Sequence, residues 1–345
     1  MHQHDTQDPR QAEAARIEPA DQGARIARDR FRPLPVPLKQ DGTPRRTGVE
    51  IEFAGLTEDE TAEVVRALWG GRGCRTTAHE QVVQGTRLGD VKVELDIFLR
   101  DKAGSALADA LLDLARTVVP VEVVTEPLAP AELPQVDRLV VALRDAGALG
   151  SRDGIFFGFG VHLNPEIAAP AAHAVVPVVR AYALLEDWLR ATDPVDPSRR
   201  VLPFVDPWPM SFVTQAAARG GDWSLDDLAR VYLDHTPTRN RGLDLLPLLE
   251  HLCPALMASA LSAADRKPGR PTWHFRLPEA RLDDPAWTIA YEWNRWVLVE
   301  RVAADAALLE TMAADHAAQR PALLATRSGW AAQVGARLEE ADIWT

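Results

Sequence analysis

With 345 residues, 46% of them hydrophobic, the chain can bury a large core as one α/β or α+β domain or as two smaller ones. A net charge of −12 argues against non-specific nucleic-acid binding, although local arginine clusters still leave room for an anionic substrate. Two distant cysteines, Cys74 and Cys253, exclude a disulfide framework and fit a reducing compartment. No apolar run reaches the roughly 18 residues of a membrane span, and the N-terminus has no apolar signal region. A cytoplasmic protein without a membrane or nucleic-acid partner is expected.

Residues 1–45 read as a flexible arm: charges, Gln and Ala lead into Phe31-Arg32-Pro33-Leu34-Pro35-Val36-Pro37, which cannot form a helix. His2 and His4 lie on this arm and are poor candidates for a metal. Gly48-Val49-Glu50-Ile51-Glu52-Phe53 then alternates as a half-buried strand does, with Val49, Ile51 and Phe53 on one face. Glu50 and Glu52 share the other. Thr57-Glu58-Asp59-Glu60 has capping-box spacing and opens a helix to about Trp69, which Gly70-Gly71-Arg72-Gly73 ends as a turn. A short strand at Glu80–Gln84 with a turn at Gly85 is expected next.

Val91–Ile97 alternates again, placing Lys92, Glu94 and Asp96 on its polar face. A helix over 103–118, a strand at Val121–Glu126 and a helix over 131–147 follow. In Phe156–Pro165, Gly158, Gly160, His162 and Asn164 share one face, and glycines inside a strand mark close approach by a ligand or backbone. From Pro170 the chain turns helical, at about 172–191, 209–218, 224–234 and 243–259. The loop Asp193–Pro209 is rich in Pro and Arg, and Phe204 and Trp208 favour its packing. Arg199, Arg200, Arg239 and Arg241 are available to an anion, though a solvated charge is the commoner role for each. The last strand signal is Thr272–Arg281, with His274 and Arg276 on one face and Pro278 clouding the sides of Glu279 and Arg281. Helices over about 286–310 and 317–340 complete the chain, their tryptophans (Trp287, Trp293, Trp296, Trp330) being packing anchors.

If these strands share a sheet, its polar face collects Glu50, Glu52, Glu94, Asp96, Glu122, His162, Asn164, Arg276, Glu279 and Arg281. Adjacent carboxylates repel, and a divalent cation such as Mg²⁺ or Mn²⁺ removes the repulsion. Carboxylates beside arginines suit metal–nucleotide chemistry. A solvated acidic face is the plainer alternative. No GxxxxGK[ST], kinase set, HExxH, CxxC pair or GxSxG occurs, so the familiar ATP, zinc and hydrolase motifs are absent.

Four segments occur in a particular order: Gly48–Glu52, Val121-Glu122-Val123-Val124-Thr125-Glu126-Pro127, Gly160-Val161-His162-Leu163-Asn164 and Arg276-Leu277-Pro278-Glu279-Ala280-Arg281. This pattern, over about residues 45–300, resembles the amidoligase family. That family is a branch of the carboxylate–amine ligase superfamily, which includes glutamate–cysteine ligase and glutamine synthetase. The resemblance implies an α+β fold: a curved, mostly antiparallel funnel-shaped sheet with helices outside and a helical C-terminal half. It implies one catalytic domain over 46–345; residues 165–270, which match the family least, are expected to be a helical insertion that shapes the substrate pocket.

By the matching motif positions, Glu50, Glu52, Glu94, His162 and Glu279 would hold Mg²⁺ or Mn²⁺. His162, Asn164, Arg276 and Arg281 would face ATP, and Glu122, Arg276 and Arg281 would serve catalysis. The implied reaction is ATP-dependent amide formation through an acyl phosphate, from a small-molecule or peptide carboxylate and an amine. A guanidino-kinase-type phosphotransferase and a non-catalytic nucleotide-binding relative remain as alternatives. The apolar helices pack either within one chain or between copies in a homo-oligomer.

Overall fold

The alternation in Thr47–Phe53 becomes strand β1, with Val49, Ile51 and Phe53 buried and Glu50 and Glu52 half-buried on the opposite face. The computed structural model describes residues 19–77, 79–95, 120–151, 159–194, 205–263, 266–319 and 326–344. His2, His4, Asp96, the expected helix at 103–118, Phe156–Gly158, Arg199, Arg200 and Phe204 lie outside them.

Five further strands join β1: β2 (Arg72–Thr77), β3 (Glu80–Thr86), β4 (Gly89–Leu95), β5 (Val121–Thr125) and β6 (Val161–Pro165). All neighbours pair antiparallel, in the order β2-β3-β4-β5-β1-β6, and the sheet is open. The helices among the described residues are α1 (Pro19–Gly23), α2 (Glu58–Trp69), α3 (Pro134–Asp145), α4 (Ala172–Thr192), α5 (Met210–Arg219), α6 (Leu225–His235), α7 (Leu246–Leu252), α8 (Pro254–Ala260), α9 (Ile289–Ala304), α10 (Ala306–Gln319) and α11 (Arg327–Glu340). The fold is therefore α+β, with its helices concentrated in the C-terminal half. None of the helices described is long and apolar enough to cross a membrane.

Local chemistry explains where these elements begin and end. Thr57 and Glu60 form the expected reciprocal capping box, Glu60 N–H to Thr57 Oγ1 at 3.2 Å and Thr57 N–H to Glu60 Oε2 at 2.8 Å. The helix expected over 243–259 is two helices, broken at Cys253 (φ −133°, ψ 52°), because Pro254 disfavours helical geometry at the residue before it. The expected helix over 286–310 likewise ends at Ala304, and Asp305 accepts the Leu308 N–H at 3.0 Å to start α10. Strand β2 was not expected: its residues are almost all exposed, so no alternation marks it. Gly85 (φ 67°) sits at a register shift between β3 and β4 instead of at a turn. Thr272–Arg281 forms isolated bridges beside β6, not a seventh strand, and Pro278 can donate no ladder hydrogen bond.

The apolar sheet face is covered by helices, with α2 lying on β3 and β4 and α3 packed against α2 and α9. Helix α4 is buried along most of its length between α9 and α11. Trp287, Trp293, Trp296 and Trp330 are all buried, and each indole N–H has an acceptor: Glu292, the Arg32 carbonyl, Glu300 and the Leu184 carbonyl. Residues 27–32 run along α9, where Asn294 donates to the Ala27 and Arg30 carbonyls and accepts from Arg32 N–H.

At the start of α9 the Asp137 carboxylate accepts the Ile289 N–H at 2.6 Å. Burial pushes this acid up to about 6, against the pull of the Ile289 and Ala290 amides. An acid raised in the folded state binds more protons there than in the unfolded chain, so its contribution to stability is full below about pH 4 and lost as pH rises through 6. The positive end of α9 offsets part of that loss. Asp137→Asn is expected to match the natural protein at pH 4 and exceed it by about 1–2 kcal/mol at pH 7 in urea unfolding. Equal stabilities at both pH values would contradict this.

Candidate metal site

In an antiparallel ladder, directly opposed residues point to the same face. The register here opposes Glu80 to Glu94, Glu94 to Glu122, and Glu122 to Glu52. Four carboxylates therefore stand in one row across β3, β4, β5 and β1. The row continues onto the 160s segment, where Glu52 N–H donates to the Gly160 carbonyl and Gly160 N–H donates to Glu52 Oε2 at 2.7 Å. Gly160 in turn bridges to Glu279. One level along, Lys92, Val124, Glu50 and His162 are opposed in the same way.

His162 is the point at which the two levels meet. Its Nδ1 lies 2.7 Å from Glu50 Oε2 and 4.0 Å from Glu122 Oε1, while its Nε2 lies 3.6 Å from Glu52 Oε1. The ring is 7% exposed and the three carboxylates 14–17%, so none of these charges is fully hydrated. Asn164 donates to Glu50 Oε1 at 3.0 Å and accepts from His274 Nδ1 at 2.6 Å. Burial works to raise the Glu50 carboxyl, but the His162 hydrogen bond and the charges of His162 and Arg270 hold it well below the usual carboxylate range. Burial drives His274 in the other direction, well below the ordinary imidazole value, against the pull of Glu50.

Other residues singled out in the sequence have more particular positions. Glu94 faces Glu122 but is ion-paired to Lys92 at 2.6 Å. Glu279 is buried and accepts from Arg281 Nη2 at 3.1 Å, while Arg281 also pairs with Asp193 and donates to the Pro194 carbonyl. Asp193 extends this cluster to Arg295 and Glu292. Arg276 Nη1 donates to the Arg239 carbonyl at 2.7 Å, and Arg276 lies near enough to His274 and Asp244 to influence both. Arg239 pairs with buried Asp244, and Arg241 donates to Thr236 Oγ1 and the Pro207 carbonyl.

Three contributors were not anticipated: His274, noted only as a strand-face residue, Asp193 and Arg270. Arg270 is 64% exposed at the rim, 4.0 Å from Glu50 Oε1. Nothing in its turn sequence, Lys267-Pro268-Gly269-Arg270-Pro271, distinguishes it from a solvated cation.

The donor set fits a divalent cation. Ligand atoms of Glu52, Glu122 and His162 lie within 4.8 Å of one another, as do those of Glu50, His162 and His274. Like charges directly opposed on a sheet are destabilising, and a bound cation reverses the sign of that interaction.

An open antiparallel sheet thus carries carboxylates and a histidine on one face and helices on the other. A family model described as "Putative amidoligase enzyme" matches residues 43–298, and the chain belongs to that family. The matched span contains all six strands and every site residue named above. No curated protein and no solved structure matches the chain. Membership supports a ligase-type enzyme that forms amide bonds.

Proposed function

We propose that the chain is an ATP-dependent carboxylate–amine ligase working through an acyl phosphate. The observation that carries this reading is the opposed pair Glu52 and Glu122 closing on His162, an arrangement that is unfavourable until a divalent cation enters. Glu52, Glu122 and His162 would hold Mg²⁺ or Mn²⁺, beside Glu50, which Asn164 fixes. Bound there, the cation offsets the negative charge of the ATP phosphates.

The substrate carboxylate oxygen attacks the γ-phosphorus, the bond to the β-phosphate oxygen breaks, and ADP leaves. The amine nitrogen then attacks the acyl carbon, and phosphate departs with one oxygen from the original carboxylate. Glu122 takes the proton lost by the amine. Exposed Arg270, 4.0 Å from Glu50 Oε1, would meet a phosphate, whereas Arg281, paired with Glu279 and Asp193, would position Glu279. Arg276 supports the His274 side of the site.

The test is a screen of acids and amines with Mg²⁺-ATP, using carboxylates labelled with heavy oxygen. A ligase sustains ADP turnover only when acid and amine are both present, and the label appears in the released phosphate. ADP formed with a phosphorylated acceptor and no amide would mark a phosphotransferase instead.

A further inference from the structure

The two ligand groups in the site differ in chemistry. Glu52, Glu122 and His162 offer mostly oxygen, whereas Glu50, His162 and His274 offer two imidazoles and one carboxylate. His274 lies outside the four segments that carry the family resemblance. Its ring is buried and stands edge-on to His162, with centroids 5.2 Å apart.

The hydrogen bonds around His274 prepare it as a ligand. The Asn164 side chain donates through Nδ2 to Glu50, so its Oδ1 is the atom that meets His274, and an amide oxygen can only accept. His274 therefore carries its proton on Nδ1 and leaves the Nε2 lone pair for another partner. One amide thus fixes both the carboxylate and the imidazole, as groups behind metal ligands commonly do. His162 stands between the two groups, its Nδ1 2.7 Å from Glu50 Oε2 and its Nε2 3.6 Å from Glu52 Oε1.

We propose that Glu50, His162 and His274 form a nitrogen-rich metal position that takes a borderline transition ion, Mn²⁺, Co²⁺ or Zn²⁺, in preference to Mg²⁺. Imidazole favours these ions, whereas Mg²⁺ keeps to oxygen and water. The proposal rests on the metal-site part of the ligase reading, but it concerns the metal alone and needs no nucleotide.

The test uses the full chain and metal ions without ATP. Pulsed EPR of the natural protein with one equivalent of Mn²⁺ is expected to show nitrogen couplings from two bound imidazoles. Titration is expected to give Mn²⁺ or Co²⁺ affinities at least tenfold above that for Mg²⁺. In His274→Gln, one nitrogen coupling disappears and Mn²⁺ affinity falls about tenfold or more, while Mg²⁺ affinity stays within about twofold. One nitrogen or none in the natural protein overturns the proposal, even if His274→Gln fails to fold. So does an equal loss for every metal in the variant. Two nitrogens without any ATP binding would sustain this metal position while removing the ligase function.

Discussion

Glu52→Gln is expected to weaken Mg²⁺-ATP binding at least about 100-fold while leaving the metal-free protein as stable as before, or more so. The two effects have opposite signs for the same reason. Glu52 faces Glu122 directly, and both are largely withdrawn from water, so removing one charge relieves repulsion of about 0.5–1 kcal/mol. The Gln carbonyl still accepts the Gly160 N–H, so the β1–β6 edge keeps its hydrogen bond. A cation held there would lose a charged ligand that a neutral amide replaces poorly. Calorimetric titration together with urea unfolding of both proteins reads the pair of outcomes. A loss of stability with unchanged nucleotide binding would make Glu52 a structural residue.

Glu300→Ala should be the most destabilising of the changes considered, by about 3–5 kcal/mol. Arg45 and Glu300 form two hydrogen bonds of 2.6 Å, and their side chains are only 2% and 4% exposed. Glu300 also accepts the Trp296 indole N–H at 2.8 Å, and Arg45 donates to the Glu166 carbonyl at 2.5 Å. Arg45 precedes β1 and Glu166 follows β6, so the pair ties both site strands to α9. Truncating Glu300 leaves a guanidinium buried without its counter-charge, and that penalty exceeds the worth of the pair itself. The double variant Arg45→Met/Glu300→Leu removes both charges and is expected to recover most of the loss. If the double variant were as unstable as Glu300→Ala, packing and not charge would govern the position.

Much of the sheet was legible because its strands obey one rule. Glu50, Glu52, Glu94, Glu122 and His162 lie on strands whose opposite faces are Val, Ile, Leu and Phe, so period-two alternation assigned their side. Register was not legible: no single strand reveals that Glu52 opposes Glu122, or that Glu50 opposes His162. Strand β2 escaped because an exposed edge buries no alternate residue. The roles of His274 and Arg270 escaped for another reason. Each becomes meaningful only through a partner far away in the chain, Asn164 and Glu50 respectively. Arg281 shows the converse, since a motif arginine near a carboxylate sheet face gave no sign of its ion pair with Asp193.

On the proposed function, the acidic face of this sheet binds a metal–nucleotide complex. The most direct measurement is calorimetric titration of ATP into the natural protein, with Mg²⁺ present and with Mg²⁺ withheld. Micromolar-to-millimolar binding that requires the cation is the predicted result. No binding in either condition, or equal binding in both, would contradict it and leave the carboxylate row without its proposed occupant.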